Sequence, residues 1–217
     1  MTPIDVASGY PHGRGVGGRD VDPVCAAILR HLPPRGHVLD LGSGSGRRIS
    51  ILAAHRPDLT FEPSDPDPAS RARIDRRCAG LRNVIRAADL DPARSGWGGP
   101  AGPVEAVIAT GVLSRMSESG LSVLLDEGVR ALAPGGILAF LEPRADPAAA
   151  MGTGALRPED PDTAGDPPGG DIVETVLGVL GLAVDRLDLS GGGWAILGRR
   201  APRGAERLSR GDRADPT

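Results

Sequence analysis

A short apolar run, Val38-Leu39-Asp40-Leu41, feeds without a spacer into Gly42-Ser43-Gly44-Ser45-Gly46, and a helical pattern follows from Arg47 to His55. A strand, a glycine turn and a helix in that order leave few folds open. Glycines tolerate positive φ and carry no Cβ, so a ligand can lie against bare backbone at the carboxyl edge of a sheet. A dinucleotide loop would read Gly-x-Gly-x-x-Gly, with the helix N-terminus aimed at a pyrophosphate. Here the third glycine comes one residue early, at Gly46, and Arg47 stands where the dinucleotide pattern needs glycine.

The rest of the chain alternates strand and helix signals. Asp22-Pro23 starts a helix that ends by His31, before Pro33-Pro34. Strands are predicted at 37–41, 59–63, 83–87, 105–110 and 137–141, and helices at 47–55, 68–78 and 120–132. Pro143 to Gly170 is rich in Pro, Gly, Asp and Ala without a period, and loops of that length are usually functional or disordered. A helix at 171–180 precedes two strands, 182–189 and 194–199, joined by Ser190-Gly191-Gly192-Gly193. This pattern predicts a Rossmann-like, doubly wound α/β sheet of seven strands, mostly parallel with an antiparallel last strand. A nicotinamide-binding sheet would instead continue parallel. Residues 1–20 read as a flexible arm, 21–200 as one domain, and 201–217 as a charged, disordered tail.

Acids close the first three strands. Asp40 lies beside the glycines, where it can orient the amino-acid end of a cofactor. Asp65 follows the second strand about 20 residues on, where a ribose diol can donate to it; its other reading is a helix cap, for which Asp67, before Pro68, is better placed. Asp89 ends the third strand and can accept from an adenine amine, with Leu90 supplying an apolar face. Asp91, before Pro92, is the cap there, which leaves Asp89 free for the ligand.

These residues resemble class I S-adenosylmethionine-dependent methyltransferases from Asp22 to Arg199. Ala131-Leu132-Ala133-Pro134-Gly135-Gly136-Ile137-Leu138 is similar to the leucine-x-proline-glycine-glycine stretch of those enzymes. Arg19-Asp20, Arg30-His31-Leu32-Pro33-Pro34-Arg35-Gly36-His37 and Pro63-Ser64-Asp65-Pro66-Asp67 resemble, more narrowly, a methyltransferase-like family of unknown function. The resemblance implies S-adenosylmethionine as cofactor, held by Asp40, Gly42, Ser43, Gly44, Gly46, Asp65, Asp89, Leu90 and Thr110, with Arg19 closing over the site. The sequence departs from that family after strand four. Thr110-Gly111-Val112-Leu113 stands where the family has asparagine, methionine, isoleucine and histidine.

No catalytic residue stands out. Tyr10 and His12 lie on the arm. His31 and His55 end helices, where a cation suits the macrodipole. Glu142, after strand five, is open to two readings, a base or amine holder and a solvated loop acid, and Arg115 and Arg144 could pair with an acidic substrate. Two functions follow: methyl transfer to a small-molecule acceptor, or a methyltransferase-fold scaffold that keeps the cofactor loop without catalysis.

Composition narrows the partners. All 25 cationic residues are Arg, the net charge is −3, and aromatics are only 2%, so neither a basic field nor a stacking platform favours nucleic acid. No apolar run approaches the ~20 residues of a membrane span, no secretory signal opens the chain, and Cys25 and Cys78 lack metal-ligand spacing. The sequence therefore points to the cytoplasm, with no metal and no membrane; the oligomeric state is left open.

Overall fold

A computed structural model describes residues 21–143, 170–189 and 192–203. The arm at 1–20, with Tyr10, His12 and Arg19, the segment holding Arg144, and the tail beyond residue 203 lie outside the described residues.

The element order is α1 (Pro23–His31), β1 (Gly36–Leu41), α2 (Arg47–His55), β2 (Leu59–Pro63), α3 (Pro68–Cys78), α4 (Gly98–Ala101), β3 (Val104–Thr110), a 3-10 turn (Leu113–Arg115), α5 (Glu118–Ala131), β4 (Leu132–Pro143), α6 (Gly170–Val179), β5 (Ala183–Asp188) and β6 (Gly193–Arg199). The helix starts follow local chemistry. Asp22 accepts from the Cys25 amide at 2.8 Å, and Asp67 accepts from Ala69 and Ser70 at 3.1 and 3.0 Å. Pro takes the first helical position after both acids, where its missing N–H costs nothing.

Six strands form one sheet in the order β2-β1-β3-β4-β6-β5. β1 to β4 run parallel, and β6 enters antiparallel between β4 and β5. Side chains alternate between two apolar layers, as strand geometry requires. Val38, Phe61, Ala106, Ile108, Ala139 and Leu197 meet α1, α2 and α3. Leu39, Leu41, Val107, Phe140, Trp194 and Ile196 meet α5 and α6.

The predicted strand at 83–87 is the main correction, and it reduces seven strands to six. The segment does approach β2 in parallel, through bridges Phe61 to Val84 and Ser64 to Ala88. Phe61 donates to the Asn83 carbonyl at 2.8 Å, and Ile85 donates to the Phe61 carbonyl at 2.9 Å. The next ladder bond cannot form, because Pro63 has no N–H. The Ala87 amide turns instead to Asp75 Oδ1 at 2.9 Å, and pairing resumes one residue later, from Ala88 to the Pro63 carbonyl at 2.9 Å. A proline and a side-chain competitor together break the strand.

Two smaller differences concern β4 and Asp91. The register shifts between Val104 and Ala106, whose partners are Leu132 and Ile137, so residues 133–136 loop out within β4 rather than preceding it. Asp91 accepts from the Ala93 amide at 3.0 Å, capping a turn and no helix.

Candidate functional site

The carboxyl ends of β1, β2 and β3 lie on one edge of the sheet, and the loop after β1 is folded onto the end of β2. Ser43 donates its amide to the Ser64 carbonyl at 2.8 Å, and Ser64 Oγ donates to the Asp40 carbonyl at 2.9 Å. Asp65 Oδ2 accepts from the Gly44 amide at 3.0 Å, and Oδ1 accepts from the Asp67 amide at 2.9 Å. Asp67 caps α3 while Asp65 braces the glycine loop, so the two acids divide the roles left open by sequence.

Gly42, Gly44 and Gly46 all have positive φ, at 65°, 59° and 70°. Their surroundings differ. A Cβ on Gly46 would come within 3.0 Å of Ile74 Cα, whereas one on Gly44 would meet nothing nearer than the Gly42 carbonyl at 3.9 Å. Gly46 is therefore required by packing against α3. Gly44 faces open space among the described residues.

Asp40 is buried, with 6% of its surface exposed. Ser43 Oγ donates to its Oδ2 at 2.5 Å. Burial nevertheless pushes the carboxyl up to about 7, against the lowering effects of Ser43 and of Arg48, while the neighbouring Asp65 charge pushes it further up. An acid poised at neutral pH can meet a cationic ligand group as the carboxylate.

Asp89 is not free. Arg71 Nη1 donates to its Oδ1 at 3.0 Å and Nη2 to its Oδ2 at 3.1 Å. The same Nη1 reaches the carbonyls of Asp65 and Pro66 at 2.8 and 2.9 Å. Asp40, Ser43, Gly44 and Asp65 thus form one hydrogen-bonded group, and Arg71 links Asp89 to it. Leu90 is half-buried against the second apolar layer. Thr110 ends β3 at the same edge, two residues beyond Ile108, the partner of Asp40. Arg71 escapes sequence reading, since nothing within α3 marks it for an acid 18 residues away.

Glu142 is not a solvated loop acid. It is 2% exposed, and its Oε1 accepts from the Leu113 amide at 2.7 Å. Burial raises its pKa, opposed by hydrogen bonds from the Val112–Ser114 turn. Its carboxylate fixes the chain after β3. His31 also departs from expectation: burial and Arg199 lower its pKa, so a cation is disfavoured at that helix end. His55 Nδ1 lies 2.9 Å from the Ile51 carbonyl, inside its own helix. Arg115 ends the 3-10 turn. Among the described residues no group of three His, Cys, Asp or Glu could hold a metal, and no helix is long and apolar enough to cross a membrane.

The backbone is similar to solved methyltransferases. An O-methyltransferase family protein from Burkholderia thailandensis matches 83% of this chain and 56% of its own, with TM-score 0.64 and 18% identity. The DhpI–SAH complex matches 83% of this chain and 84% of its own, with TM-score 0.60 and 21% identity. In sequence, protein-L-isoaspartate O-methyltransferase 1 of Marinobacter nauticus is 33% identical over 103 residues, 47% of this chain and 44% of that protein. The chain thus spans less than half the length of that curated relative. These likenesses establish the α/β Rossmann-like methyltransferase fold. A family model described as "Protein of unknown function (DUF938)" matches residues 16–149, more than half of the sequence, and the chain belongs to that family.

Proposed function

We propose that this protein is an S-adenosylmethionine-dependent methyltransferase acting on a small-molecule acceptor. The carrying observation is the brace between Asp65 and Gly44, which holds the glycine loop in shape, with no described residue crowding a Cβ at Gly44. The donor set suits the cofactor. Asp40 and Ser43 would hold the amino-acid end, with the backbone of Gly42, Gly44 and Gly46 beneath it. Asp65 would take the ribose diol, since among the described residues each of its oxygens accepts one hydrogen bond and has a lone pair left. Asp89 and Leu90 would meet the adenine, with Thr110 at the open side.

The bound cofactor supplies an electrophilic methyl group on a sulfonium. The chain's part is to align the acceptor and exclude water, and orientation of that kind can contribute roughly 7–11 kcal/mol. Glu142 is engaged in holding the 112–114 turn. Acceptors that reach the site already nucleophilic fit this best.

The scaffold reading draws on the same residue: with Glu142 engaged and Asn and His missing from 110–113, the edge has little acid–base equipment among the described residues. Calorimetric titration of the full chain with S-adenosylmethionine, repeated with NAD, separates the possibilities. Micromolar binding of the first alone supports the cofactor site; binding of neither overturns it. Release of S-adenosylhomocysteine on incubation with small-molecule extracts then supports the enzyme over the scaffold. A reducing, cytoplasmic setting is proposed from Cys25 and Cys78, both buried, and a single domain at 21–200 remains the proposed division.

A further inference from the structure

Asp89 stands past the last bridge of the broken strand, at Ala88, and its side chain is 73% exposed. Nothing in the sheet orients it. Arg71 does, with two parallel bonds to the carboxylate, while its Nη1 is tied to the Asp65 and Pro66 carbonyls. The arginine is itself only 20% exposed. Arg71 therefore fixes the distance between the chain after β2 and the acid after the third segment.

The geometry points to Arg71 as a positioning residue that gives the pocket its preference for a 6-amino over a 6-oxo purine. This rests on the S-adenosyl reading above. The guanidinium fork lines up both carboxylate oxygens of Asp89, and a carboxylate only accepts hydrogen bonds. An exocyclic amine donates to such a group. A 6-oxo purine presents an acceptor to an acceptor at that position, and its N1–H donor is displaced from where the oriented acid points, the kind of mismatch that carries discrimination. Without Arg71 the exposed Asp89 would turn freely, and its orientation would no longer select.

The test is titration of the full chain with S-adenosylhomocysteine and with S-inosylhomocysteine, for wild type, Arg71→Ala and Arg71→Lys. Wild type should bind the adenosyl compound at least about tenfold more tightly. Arg71→Ala should bring the two affinities within about threefold, and Arg71→Lys, which keeps charge without the fork, should restore only part of the ratio. Equal weakening of both compounds in Arg71→Ala, with the ratio kept, would mean a merely structural role and overturn the inference. Asp89→Asn guards against misfolding of the arginine variants. It leaves the Arg71 bonds to the Asp65 and Pro66 carbonyls in place and should also abolish the preference; an unchanged ratio there overturns the proposal. Wild type binding both compounds equally overturns it while the cofactor reading stands, and wild type binding neither removes both.

Discussion

Asp65 Oδ2 accepts the Gly44 amide at 3.0 Å across 21 residues of chain, so the acid that ends β2 also shapes the loop that ends β1. Asp65→Ala removes this brace and the acceptor of the Asp67 amide together. We expect S-adenosylmethionine binding to weaken at least about tenfold, and stability to fall by ~1–3 kcal/mol as two amides lose their partner. Calorimetry and urea denaturation read the two effects; unchanged binding would refute the ribose assignment.

Gly44 and Gly46 should separate fold from ligand. Each has positive φ, which for alanine costs roughly 1–2 kcal/mol. Gly46→Ala adds a close approach to Ile74 Cα, for a total near 3 kcal/mol and a clearly lowered Tm. Gly44→Ala meets no atom of the described residues beyond its chain neighbours nearer than 3.9 Å, so it should keep most of the stability and lose cofactor affinity. The reverse ranking in thermal denaturation would show that the open space lies over the other glycine.

Asp40 gives a pH signature. Its carboxyl is raised from an ordinary 3.8 to about 7, so between these values the folded protein holds a proton that the unfolded chain has lost. Stability from this group is full below about pH 4 and is lost as pH rises toward 7. Asp40→Asn does not titrate. The Tm of Asp40→Asn minus that of wild type should therefore increase from pH 4 to pH 7, and a flat difference would refute the buried, raised acid.

Much of the site was legible because its determinants are local. Asp67 precedes Pro68 and caps α3; Asp65, two residues earlier, is left for another role; glycines mark the turn after β1, where three residues take positive φ. The partners of those groups were not legible. Arg71 carries no mark that sends it to Asp89, and Glu142 stays open to two readings until the turn at 112–114 packs over it.

The sequence by itself determined α2, α3 and β2, whose observed bounds are the predicted ones, along with the alternation that yields a parallel sheet and the acids at its edge. Caps, proline stops and apolar periods act within a few residues, so a short window holds the whole cause. Only the tertiary structure decided that β6 inserts between β4 and β5, that Arg71 claims Asp89, and that the 83–87 segment stays a pair of bridges. In that last case Pro63 lacks an amide to give and Asp75 takes the amide of Ala87, a competition between groups that meet only once α3 has packed beside the sheet.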